Sequence, residues 1–187
     1  MGYIGQTITT VFPTSISVDS ATISGNASVG GTLGVTGVST LSDNIVFDAS
    51  SKGVHLGVTS ATASNLLDDF EEGLFTLVAD ASGVNLTQNS GRYTKIGQMV
   101  YITGIIAFPS TSSSDNAEIS GFPFACGSGN QSRGGFAFGF NNKGDNNFTF
   151  LIGGGSSVAR LVNLSGQTMA TSNFSSKTFV FGGAYLV

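Results

Sequence analysis

Four carboxylates crowd one short segment, Asp68, Asp69, Glu71 and Glu72 of Leu67-Asp68-Asp69-Phe70-Glu71-Glu72-Gly73. Paired acids do the work of glycosidases, but those enzymes hold the two across a cleft in separate environments. Acids within one helical turn point in several directions, and the positive end of a helix attracts them without any catalytic role. The segment predicts a short helical turn, with Ser64 or Asn65 as cap, acids in the first turn and Gly73 as stop. Its expected task is to order a crossover.

Other chemistry is thinner. His55 is the sole histidine, and no Gly-x-Ser-x-Gly nucleophile elbow accompanies it. A ring of three His55 or three Asp43 side chains around a symmetry axis is a geometry that holds metals, although polar groups near an axis are ordinarily hydrated. Gly153-Gly154-Gly155-Ser156-Ser157 lacks the lysine of a phosphate-binding loop and reads as a hairpin connection. Cys126 stands alone, which excludes an intrachain disulfide and a cysteine-based zinc site. No catalytic residue, metal or cofactor is therefore expected. Sugar-binding faces use exposed rings beside amides and carboxylates. Trp is missing here, and Phe136, Phe138 and Phe140 alternate on one face, as do Phe148 with Phe150 and Phe179 with Phe181, a pattern that favours the core. Tyr93, Tyr101, Tyr185 and the loop residues Asn141, Asn142, Lys143, Asp145 and Asn146 remain as candidate surface contacts.

Composition narrows the classes further. Of the 187 residues only 10% are charged, while 40% are hydrophobic, so the chain is not a disordered tail and fits a protein stabilised by backbone pairing and subunit contact. The net charge is −4 and the seven Lys and Arg are scattered singly, which argues against a nucleic-acid surface. No apolar run has the length to span a bilayer, and Met1 to Thr10 lacks the pattern of a secretory signal.

The elements that would position such residues fall into four parts. In residues 1–20 Tyr3, Ile4, Ile8, Val11 and Phe12 are the apolar side chains of a Thr/Ser-rich arm, expected to attach to another protein. Residues 21–57 follow with a period of six laid over a period of two. Ile23, Ala27, Val29, Leu33, Val35, Leu41, Ile45 and Phe47 share the odd face, with Gly25, Gly31, Gly37 and Asp43 recurring every six positions. Repeat folds need about three or more units to bury a core. This ribbon has too few hexads to cover itself, and sister chains around a shared axis would cover it. An intertwined trimeric β stalk is the prediction. Residues 58–73 form a neck with the helical turn. Residues 74–187 carry eight short strands bounded by turns, expected as a jelly-roll-like β-sandwich head.

The acidic box, with Phe75-Thr76, Gly91-Arg92-Tyr93-Thr94-Lys95-Ile96-Gly97, Val100-Tyr101-Ile102-Thr103-Gly104 and Ile119-Ser120-Gly121-Phe122-Pro123-Phe124, resembles a terminal domain of tail-fibre and related structural proteins of tailed bacteriophages. Gly2-Tyr3-Ile4-Gly5 is similar to the start of marine-phage fibres. Leu77 departs from the proline usual after the acidic box. The resemblance implies a homotrimeric virion protein, made in the bacterial cytoplasm, that acts as a short tail fibre or adhesion component. Its arm would bind another virion protein and its head a bacterial surface glycan or protein. A capsid-decorating trimer is the alternative, since 187 residues is short for a host-range fibre. A polysaccharide-degrading enzyme is the weakest reading, and neither nucleic acid nor membrane insertion is implied.

Overall fold

Large side chains facing glycine across neighbouring strands shape the C-terminal part of this all-β chain. The computed structural model describes residues 20, 22–145 and 147–187. Two units divide the chain, Met1–Ile45 and Val46–Val187. In the second, β1 (Val54–His55) pairs with β2 (Leu66–Leu67) in a two-stranded ribbon. Nine strands then form one antiparallel sheet: β3 (Phe70–Thr76), β4 (Val78–Ala79), β5 (Gln88–Ile96), β6 (Met99–Ala107), β7 (Glu118–Ser120), β8 (Gly134–Asn141), β9 (Phe148–Ile152), β10 (Ala159–Asn163) and β11 (Thr178–Leu186).

Their order is β3-β5-β6-β11-β8-β9-β10-β7-β4. Because β3 and β4 are parted only by Leu77, the two ends of the sheet belong to one run of chain and the sheet nearly closes on itself. The expected pair of separate sheets is thus a single one that turns corners, one at Leu77. Leu77 is fully buried, and its N–H donates to Asn89 O at 2.7 Å. Proline has no N–H for that bond, so the corner requires another residue at this position.

The predicted strands from Leu74 onward fall on observed ones, and alternation puts Val100, Ile102 and Ile106 of β6, and Phe179, Phe181 and Tyr185 of β11, in the core. Rings fill it edge to face: Phe150 lies 4.9 Å from Phe181 and 5.4 Å from Phe136, and Phe148 lies 5.2 Å from Phe174. Two expectations need correction. The acidic segment is not a helical turn: only Ala63–Asn65 makes a 3-10 turn, and Glu71 and Glu72 lie on strand β3. Pairing with β5, Glu71 opposite Lys95 and Glu72 opposite Thr94, overrides the local capping signal. Phe140 does not follow Phe136 and Phe138 inward. Phe138 pairs with Phe181 but Phe140 with Val180, so Gly139 is an extra bulged residue that turns Phe140 to the outside, 52% exposed.

Gly91 stands directly under Phe75 and Gly104 under Phe181, the latter leaving a Cβ only 2.7 Å from the ring. Gly91→Ala should lower stability by about 1–3 kcal/mol through overpacking. Gly135→Ala, where a Cβ meets nothing within 4 Å, should stay within about 0.5 kcal/mol. Urea titration compares them, and equal losses would contradict the packing described.

Candidate functional site

Alternate residues of the acidic segment face alternate residues of the Gly91–Gly97 segment inside one end of the sheet. Asp69 pairs with the Lys95 ammonium, which is only 8% exposed, and the Tyr93 hydroxyl donates to Glu71. Lys95 Nζ also sits 5.6 Å from the centre of the Phe124 ring, onto which Tyr93 packs edge-on at 5.3 Å. Tyr93 in turn lies over Gly73, where a Cβ would come within 2.8 Å of the ring. Gly97, at φ +56°, turns the β5–β6 hairpin and donates its N–H to Asp69 O at 2.8 Å. All four acids are solvent-exposed, and strand β5 engages Asp69 and Glu71. Nothing in this arrangement holds two acids across a cleft. It clamps strands.

The tyrosines are shifted by these surroundings. Tyr93 is held above its ordinary value near 10 first by its hydrogen bond to Glu71, then by burial and the Glu71 charge. Tyr185 is pushed up to about 12, chiefly by burial, and its hydroxyl donates to Phe124 O at 3.0 Å. Tyr101 is half exposed on the outer face. Burial likewise raises the Cys126 thiol, against the opposing pull of Arg133 and the Gly154 and Gly155 amides. That keeps it protonated and packed, at 1% exposure.

His55 on β1 lines a cavity of about 400 Å³ with Asp48, Ser51 and Lys52, and its Nδ1 is buried without a hydrogen-bond partner among the described residues. No group of three or more His, Cys, Asp or Glu suited to a metal occurs among the described residues. No helix among them is long and apolar enough to cross a membrane.

The 141–146 loop joins β8 to β9, and its polar atoms largely turn back on the fold. Asn141 Oδ1 accepts from Lys143 N at 2.7 Å, and Asn142 Oδ1 accepts from Thr178 N at 2.7 Å. Lys143 Nζ meets Asp145 at 2.7 Å, holding that carboxyl below its usual range, and lies 5.4 Å from the Phe148 ring centre. Asn146 lies outside the described residues. The arm residues Tyr3, Ile4, Ile8, Val11 and Phe12 lie outside them too. The residues expected in a stalk core, Ile23, Ala27, Val29, Leu33, Val35, Leu41, Ile45 and Phe47, are all exposed, and residues 22–53 form no strand within the single chain.

Sequence reasoning left unseen that Glu71, Gly73 and Phe75 match Lys95, Tyr93 and Gly91 read backwards. A period-two comparison of the two segments would have found it. It also left unseen that Arg133 and Arg160 come to one cavity. No known protein family, curated protein or solved structure matches the chain.

Asp69→Ala strands a mostly buried ammonium and should lower stability by about 1–3 kcal/mol, whereas Glu72→Ala, on the exposed face, should stay within about 0.5 kcal/mol. Because the folded pKa of Tyr185 is raised, its contribution is intact below pH 10 and is lost as pH rises from about 10 to about 12. Thermal melts across that range should fall, and Tyr185→Phe should flatten the fall. An unaltered slope in the variant would contradict the burial of this hydroxyl.

Proposed function

We propose that this chain is a homotrimeric structural protein of a tailed-phage virion, a short tail fibre or adhesion component anchored by its N-terminal arm. The observation that carries the trimer is the bare odd face of residues 23–47. Leu33 is 72% exposed, Ile23 64% and Leu41 62%, on a stretch with no strand partner among the described residues. Exposed apolar surface on that scale marks a partner surface, and the six-residue spacing of glycine suits ribbons that wind about a common axis. Three sister chains would cover one another's odd faces as one intertwined stalk with hexad repeats. The placement in a phage rests on the resemblance of the 67–73 and 91–97 segments. The described geometry supports a scaffold role for these segments, since their acids are engaged in strand contacts.

Gold-labelled antibody against the chain, imaged on purified particles, tests the location. A few labels at the tail support the fibre, a shell-wide set would move the trimer to the capsid surface, and no label on any particle would end the virion reading. For the stalk, Val35→Asp buries three unpartnered charges in a trimer and should destabilise it by several kcal/mol, of order 2–7 per buried polar group. Unchanged melting of the assembled protein would contradict the stalk.

A further inference from the structure

A groove lies at strands β9 and β10 and the segment leading into β8. Its cavity, about 170 Å³, is lined by Arg133 and Arg160, by Gly153, Gly154 and Ser156, and by apolar Leu151 and Val158. The chain has seven basic residues against 11 acids, yet two of the seven line this cavity and none of the acids does. Register explains the convergence. Arg160 stands opposite Leu151 on one side and Glu118 on the other, and Arg133 immediately precedes Gly134, which pairs with Ile152, so Arg133 flanks Gly153.

Gly153 lets Arg133 lie down: a Cβ there would come within 2.6 Å of the Arg133 stem. The Arg133 guanidinium makes no hydrogen bond or ion pair among the described residues. Arg160 Nε is 3.3 Å from Glu118 Oε1, an exposed pair of the kind that contributes little and yields to a competing anion. Ser156 Oγ accepts from Val158 N at 3.0 Å and keeps its own proton to donate.

We propose that this groove binds an anionic saccharide unit, a sugar bearing a carboxylate or a phosphate. Planar guanidinium forks match both oxyanions, Ser156 serves a ring hydroxyl, and Leu151 and Val158 face the C–H side of a sugar ring. The volume is below the roughly 300–1,000 Å³ of ordinary ligand pockets, which fits one charged unit of a longer glycan. The proposal is read from the head alone and does not depend on the trimer or on the virion.

The 187-residue chain is titrated with glucuronate, glucose 6-phosphate and glucose while backbone amide signals are followed by NMR. One or both anionic sugars should move the Gly153, Gly154 and Ser156 signals, the more effective one naming the oxyanion, and glucose should not. Arg133→Gln and Arg160→Gln should each weaken that binding about tenfold or more, Arg92→Gln should leave it unchanged, and Arg133→Lys should restore part of it. No movement of these signals with either anionic sugar, equal movement with glucose, or Gln variants that bind like the parent would overturn the proposal. Unperturbed spectra elsewhere show that the variants stay folded.

Discussion

Rings over glycine are the constraint from which the head is built. Across β3, β5, β6 and β11 one inner row reads Phe75, Gly91, Gly104, Phe181, each directly opposite the next. The adjacent row reads Gly73, Tyr93, Ile102, Gly183, and there a Cβ on Gly183 would sit 3.0 Å from Phe136. Along each of the four strands glycine in one row is followed by a large side chain in the other, so the two rows are complementary and each ring has room over a glycine. That alternation lets four strands curve around stacked rings. The Leu77 corner then lets the same sheet meet itself with few free edges.

The same logic assigns the conspicuous acidic box to structure. Asp69 and Glu71 are held by Lys95 and Tyr93 at one end of the row system, where the rings give way to polar groups that still need partners. An ammonium as deeply placed as that of Lys95 would be expensive without a carboxylate. The head thereby satisfies its interior from its own chain. Residues 22–47 do the opposite, leaving nearly every apolar side chain bare, and this contrast is what makes self-association the economical reading of the stretch.

Much of the head was legible in the sequence because period-two alternation between turn residues is a local signal, and β5, β6, β8 and β11 fall where it placed them. Three features were not. The box at 67–73 carries good capping residues, and only its partner strand, some twenty residues on, decides that it is extended. Phe140 continues a pattern that a single bulged glycine breaks, and the register across β11 that reveals the bulge is not written near it. Arg133 and Arg160 are far apart in sequence and meet only through the β8-β9-β10 meander. Each miss is a case of tertiary pairing overruling a correct local rule.

Sedimentation equilibrium of the full chain at micromolar concentration tests the central claim most directly, that the ribbon is covered by copies of itself. The account predicts a single species of three times the 19.0 kDa chain mass. A well-folded species of 19.0 kDa would contradict it.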